Sequence, residues 1–120
     1  MGALLAAAGV ALGAFGAHAL KARLDTEALA VWNTGVQYHL WHALGMMLVG
    51  LSAAIIPDGP WLRVSGLLLL AGVVLFSGSL YVLALGAPRW LGAVTPFGGA
   101  AFILGWLAFA VTAARAWSAT

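Results

Sequence analysis

Three histidines are the side chains of this sequence best suited to metal, haem or proton chemistry. His39 and His42 are three residues apart, so one helix face presents both rings, and His18 ends the preceding apolar segment. Neutral imidazole binds zinc, and a haem takes two imidazoles from facing helices, which His18 and His42 could supply. A haem, a quinone or a metal ion at His39 and His42 is therefore the first functional hypothesis.

Two features of the sequence count against that hypothesis. His18 shares a helix face with Ala7, Ala11 and Ala14 rather than with the neighbouring glycines, so its ring is not directed at the other two. No Asp or Glu lies within the apolar segments to complete a site. We therefore predict no cofactor and no metal, and instead a structural polar cluster near the membrane interface that hydrogen-bonds to loop backbone and neighbouring helices. Its predicted members are His18, Asn33, Gln37, Tyr38, His39 and His42.

Other kinds of catalysis find little support in the side chains present. The chain has no cysteine, which excludes disulfides and thiolate chemistry. Ser77 and Ser79 have no acid or base beside them in sequence to activate a hydroxyl. The net charge of +2 rests on only five basic residues, so it argues against nucleic-acid binding. These observations favour a protein that is not an enzyme.

The composition indicates a protein that resides in a membrane. Hydrophobic residues make up 64% of the 120 residues and charged residues only 7%, against about 25% charged in soluble domains. A span needs about 20 apolar residues. The apolar runs predict four spans near residues 2–20, 39–56, 61–85 and 92–114, in one domain covering residues 1–120.

The segments between the spans complete the predicted fold. A short interfacial helix is expected within residues 26–38, capped by Thr26 or Asp25, and Pro-Asp-Gly-Pro at 57–60 predicts a tight turn. Short loops allow only antiparallel neighbours, so we predict an all-α, up-down four-helix transmembrane bundle. Ala17-His18-Ala19 resembles a signal-peptidase site, but no basic residue precedes the apolar run, so we expect residues 2–20 to be retained.

Tryptophans and charges predict how the bundle meets the membrane surfaces. Trp61 and Trp117 are expected at one surface, with Trp41 and Trp90 at the other. Basic residues slightly favour the side of residues 21–38 and 86–90 as the cytoplasmic one.

Small residues recur along three of the predicted spans and predict close helix packing. The first span carries a glycine stripe, and the third and fourth carry small residues seven positions apart. These helix-packing positions are Gly9, Gly13, Gly16, Ser65, Gly72, Ser79, Gly98 and Gly105. They point in more directions than one bundle requires, so we expect the protein to form a homo-oligomer or to join a larger membrane complex.

Four segments carry a resemblance to a known family: GAFGAHAL, TGVQYHLWHALG, LFSGSLYVLAL and LGAVTPFGGAAFILGW. Together they resemble the YgdD-like family of small bacterial inner-membrane proteins, which is related to the transmembrane protein 256 family. The resemblance implies a multi-pass protein of the bacterial inner membrane with four spans and no assigned activity. It also marks His18, and His39 with His42, as positions of interest.

Three functional interpretations follow. A cofactor-binding protein would use the histidines. A carrier or channel would need polar groups near the membrane midplane, where this chain offers only hydroxyls and glycines. A pore would therefore require an oligomer. The third interpretation is a non-catalytic accessory or scaffold subunit that packs in the lipid bilayer against itself or larger membrane partners, and this is the function we predict.

Overall fold

The computed structural model describes residues 1–56 and 59–118, and they form four helices. These are α1 (Gly2–Leu20), α2 (Thr26–Ser52), α3 (Pro60–Ala84) and α4 (Thr95–Ser118), with a 3₁₀ turn Arg89–Ala93 before α4. No strand occurs within these two ranges. The prediction of an all-α protein is confirmed. Pro57 and Asp58 of the predicted tight turn lie outside the described residues.

Three helical segments are long and apolar enough to cross a membrane: Gly2–Leu20, Pro60–Ala84 and Arg89–Ser118. They correspond to the first, third and fourth predicted spans. The second predicted span, residues 39–56, belongs to α2, in which polar side chains interrupt the apolar sequence. α2 is therefore a long helix of mixed polarity among three apolar ones.

α2 begins at a capped end and continues without a break. The Asp25 carboxylate accepts a hydrogen bond of 2.7 Å from the Ala28 amide, so Asp25 is the cap and Thr26 is the first helical residue. The sequence predicted a short helix within 26–38 and a separate span from residue 39, whereas the structure has a single helix Thr26–Ser52. No proline interrupts this stretch, and Gly35 is helical, with the Tyr81 ring packed against it. The helix ends at Ser52, before the predicted end at residue 56.

Glycines on one face of α1 bring this helix close to α2. A Cβ atom added at Gly2 would lie 2.9 Å from the Ala43 carbonyl oxygen, and one at Gly16 would lie 2.6 Å from Trp32 Nε1. The start of α1 thus meets the later part of α2, and its end meets the earlier part, so these two helices run antiparallel. Close contact of this kind stabilises helix pairs in lipid, where the hydrophobic effect no longer drives them together.

α3 and α4 pack through rings placed over glycines. The Phe102 ring lies on Gly72, and the Phe76 backbone lies on Gly98. These opposed pairs show that α3 and α4 are antiparallel. The largest buried cluster joins this helix pair to α2 and consists of Val49, Leu62, Leu69, Val73 and Phe102.

Two π-helical turns alter the regular helix period. One forms the end of α1 at Gly16–Leu20, and the other lies within α3 at Val73–Ser77. A π turn inserts one residue and so rotates the following face of the helix. In α3 it leaves Ser77 buried as well as Ser79.

The tryptophan positions agree with the sequence analysis at one end only. Trp61 lies at the end where α3 begins, and the Arg115 guanidinium stands 5.8 Å from its ring centroid. Trp41, predicted at the opposite surface beside Trp90, instead contacts Tyr38, whose ring contacts Phe76 in the middle of α3. The continuous α2 starts 13 residues before the predicted span, and this displaces Trp41 from the helix end.

The contact of Gly72 with Phe102 gives a stability prediction. We expect Gly72→Ala to lower the free energy of unfolding by about 1–3 kcal/mol, because the new methyl group overlaps the Phe102 ring. Gly78→Ala is the matched control, since nothing lies within 4 Å of its added Cβ, and we expect it to be neutral or stabilising by up to about 1 kcal/mol. Unfolding of both variants in detergent micelles measures the difference. Equal stabilities would show that the α3–α4 contact is looser than described.

Candidate functional site

The two buried histidines of α2 lie level with the middle of α3. Gly35 packs against Tyr81 and Val49 lies beside Gly66, so His42, halfway between Gly35 and Val49, is level with the centre of the Pro60–Ala84 helix. The sequence pattern predicts these rings near the headgroups, because the apolar run begins a span at residue 39. The longer α2 instead sets them level with the middle of α3.

His39 joins three helices through both of its ring nitrogens. Its Nε2 lies 2.9 Å from the Leu5 carbonyl oxygen of α1, which can only accept, so Nε2 donates. In the neutral ring Nδ1 is then an acceptor, and the Tyr81 hydroxyl of α3 donates to it over 3.1 Å. His39 is only 5% exposed, and its neutral form is fully hydrogen-bonded.

His42 is held in one orientation by its own helix. Its Nδ1 donates to the Tyr38 carbonyl oxygen one turn earlier, at 2.6 Å. The ring stacks on Phe102 with a centroid distance of 3.4 Å and an interplanar angle of 14°, and Trp106 lies 6.1 Å away. Nε2 is therefore the acceptor of the neutral ring, and it has no hydrogen-bond partner among the described residues.

The six predicted members of the interfacial cluster do not come together. Tyr38, His39 and His42 share the interior, where Tyr38 contacts both Phe76 and the His42 ring. The remaining three, His18, Asn33 and Gln37, are exposed on the outside of α1 and α2. Within residues 1–56 and 59–118, no group of three His, Asp or Glu side chains is arranged to hold a metal ion.

Two interior polar contacts involve residues that the sequence analysis did not single out. Tyr81 binds His39, and the Trp32 indole donates a hydrogen bond of 3.0 Å to the Leu12 carbonyl oxygen of α1. The Trp32 and Tyr81 rings are in contact, with centroids 4.7 Å apart. One signal was available: Tyr81 is the only polar side chain between Ser79 and Arg89.

The predicted helix-packing residues lie on two interfaces. Gly9, Gly13 and Gly16 face α2, and Gly13 is the least enclosed of the three. The others are buried around the α3–α4 pair: Ser65, Gly72, Ser79, Gly98 and Gly105. The Ser79 hydroxyl bonds to the Thr95 hydroxyl at 2.7 Å, whereas those of Ser65 and Ser77 are buried without a partner among the described residues.

A chain whose described residues form only helices, three of them long and apolar enough to cross a membrane, has the character of an integral membrane protein. Residues 12–99 match the family described as "Protein of unknown function (DUF423)", and the chain belongs to this family.

Its relatives carry the name UPF0382 membrane protein. The chain is 46% identical to the UPF0382 membrane protein YwdK of Bacillus subtilis, covering 96% of this chain and 94% of the relative. It is 46% identical to the UPF0382 membrane protein SH2409 of Staphylococcus haemolyticus over 89% of this chain and 86% of the relative. A UPF0382 membrane protein of Haemophilus influenzae is 43% identical over 84% and 80% of the two chains. No solved structure matches the chain.

The bond between His39 and Tyr81 can be measured by a double-mutant cycle. We expect His39→Leu and Tyr81→Phe to be coupled by about 0.6 kcal/mol, the average for hydrogen bonds between membrane helices, and by no more than about 1.7 kcal/mol. Tyr38→Phe is the control, because the Tyr38 hydroxyl makes no hydrogen bond to a described residue, and its loss should be close to neutral. A coupling energy of zero would mean that the His39–Tyr81 bond does not contribute to folding.

Proposed function

We propose that this protein is a non-catalytic accessory or scaffold subunit of the bacterial inner membrane. In this proposal the four helices form an up-down antiparallel bundle in which α2 is the fourth span, with its first turns at the membrane interface. The protein acts through its outer helix surfaces, which pack against a second copy or a larger membrane partner. The proposal includes the kinship with the YgdD-like and transmembrane protein 256 families that the sequence motifs suggest.

The observation that carries this proposal is a difference between two outer faces. α1 packs on α2 with its glycines, and its opposite face exposes Ala3, Ala7, Ala11 and Ala14 at helical spacing, bordered by exposed Leu4 and Val10. The outer face of α4 instead exposes large side chains: Ile103, Leu104 and Leu107. Large branched side chains suit contact with acyl chains, whereas a face of alanines allows another helix to approach closely.

Exposed polar side chains on α2 support the same interpretation. Asn33 and Gln37 are exposed along a groove of about 550 Å³ on α2. Asn33 Oδ1 lies 3.7 Å from the Cβ position of Gly16, so the Asn33 amide adjoins the glycine face of α1. Amides that face lipid lack hydrogen-bond partners, and a neighbouring helix can supply them. A partner helix that packs on this groove of α2 would therefore satisfy these amides.

Bulky substitutions test the proposed surface. We expect the double variant Ala7→Leu with Ala11→Leu to shift the protein from its associated form toward the monomer, because leucines prevent the close approach of a second helix. Ala100→Leu is a matched control, since Ala100 is exposed on the face of α4 that also carries Leu104 and Leu107. Native mass spectrometry, and crosslinking in intact membranes, report the association. A wild-type protein that is monomeric and partner-free both in detergent and in native lipid would overturn the proposal.

The His42 ring supports the second candidate, a cofactor-binding protein. Nε2 is an acceptor without a described partner, and neutral Nε2 is a ligand that haem iron or zinc accepts. A quinol could donate a hydroxyl hydrogen to the same atom. The His39 nitrogens are both already bonded, so His42 would act without His39.

The visible spectrum and metal content of the purified protein separate the two candidates. The accessory-subunit proposal expects no Soret band and no stoichiometric metal in the wild-type protein. It also expects His42→Gln to leave the spectrum unchanged. A Soret band or bound metal that His42→Gln abolishes, but that Tyr38→Phe retains, would establish the cofactor candidate instead.

A further inference from the structure

A recess of mixed charge lies where α2 begins and α3 ends. Asp25 and Glu27 line one side of it, and Arg89 lines the other. The recess has a volume of about 350 Å³, within the size range of small-molecule sites. It is distinct from the histidine interior and from the alanine face of α1.

The opposite charges face the recess without neutralising each other. Among the residues that the structure describes, no ion pair joins Arg89 to Asp25 or Glu27, and all three side chains are exposed. Asp25 uses Oδ1 to cap α2, which leaves its second oxygen available. The chain reaches Arg89 through Gly86, whose φ of +92° is in the left-handed region that glycine adopts most easily. This turn sets Arg89 across from the first turn of α2.

The base of the recess is apolar. Val31 contributes from α2, and Leu80 and Leu83 contribute from α3. A ligand that fits must therefore carry a cationic group, an anionic group and an apolar portion. Amphipathic ligands of this kind are available at the surface of a membrane.

Charged side chains place this recess at headgroup level. Five of the chain's eight charged side chains are at this end of the helices: Lys21, Arg23, Asp25, Glu27 and Arg89. In membrane proteins charges concentrate where the helices leave the hydrocarbon core.

We propose that this recess binds one zwitterionic phospholipid whose headgroup carries a primary ammonium, that is, phosphatidylethanolamine. The Arg89 guanidinium donates hydrogen bonds to the phosphate, and the ammonium donates to the Glu27 and Asp25 carboxylates. The acyl chains of the lipid extend out of the recess along Leu80 and Leu83. A choline headgroup has no N–H to donate, so the site discriminates against phosphatidylcholine. A glycerol headgroup carries no cation, so it leaves the carboxylates unpaired.

Lipid retention tests this site on the purified full-length chain. Native mass spectrometry counts the lipids that remain bound after exchange into detergent with phosphatidylethanolamine, phosphatidylcholine or phosphatidylglycerol at equal concentration. We expect one phosphatidylethanolamine per chain to be retained about ten-fold better than either of the other two, which is the effect of losing about one charge-assisted interaction. Equal retention of the three lipids, or stronger retention of phosphatidylglycerol, would contradict the proposal.

Charge-neutralising variants then locate the bound lipid. Arg89→Gln and Glu27→Gln should each reduce phosphatidylethanolamine retention about ten-fold. Arg23→Gln is the matched control, because Arg23 is exposed at the same end but does not line the recess. This variant should retain as much phosphatidylethanolamine as the wild type. If Arg23→Gln lowers retention as much as Arg89→Gln, the preference comes from the general charge of this surface and the recess is not the site.

Discussion

The hydrogen bonds of His39 constrain how the first three helices can be arranged. A buried neutral imidazole needs a hydrogen-bond partner for its N–H and another for its acceptor nitrogen. His39 finds the first on α1 and the second on α3. Its reach to the Leu5 carbonyl depends on Gly9, since a Cβ atom added there would lie 2.7 Å from the adjacent Leu40 side chain and 3.4 Å from the His39 ring. A side chain at Gly9 would thus displace the Leu40 side chain beside the His39 ring.

Aromatic rings that pack on glycines continue these contacts along the helices. Trp32 lies on Gly16 of α1, Tyr81 lies on Gly35 of α2, and Trp106 of α4 lies on Gly45 of α2. Each contact fixes the position of one helix along the axis of the next. Because lipid removes the hydrophobic drive for helices to associate, such close contacts and the few interior hydrogen bonds are what hold the helices together. The same contacts set the depth of the histidines.

The sequence was informative where a local signal decides the structure. Apolar run length predicted the helices α1 and α3, and Pro96 falls in the first turn of α4, where proline is tolerated. The depth of the histidines and the register between the helices could not be predicted from local signals of this kind. The contact of Gly35 with Tyr81 joins distant parts of the chain, and a π turn such as Val73–Ser77 has no local sequence signal. The site was predicted least well, because the partners of His39, Leu5 and Tyr81, are 34 and 42 residues away in the chain.

The division of polar groups between interior and surface bears on function. Interior groups are neutral and mostly bonded to one another or to helix carbonyls, as Ser79 is to Thr95 and Thr112 is to the Ala108 carbonyl oxygen. Chemistry in such an interior would require groups that exchange partners, and among the described residues the unpaired interior groups are few: His42 Nε2 and the hydroxyls of Ser65 and Ser77. The unsatisfied groups lie mainly outside, as the amides of Asn33 and Gln37 and the charges around Arg89. A protein whose unpaired amides and charges face lipid and headgroups is suited to binding neighbours in the membrane. This supports an accessory role over catalysis.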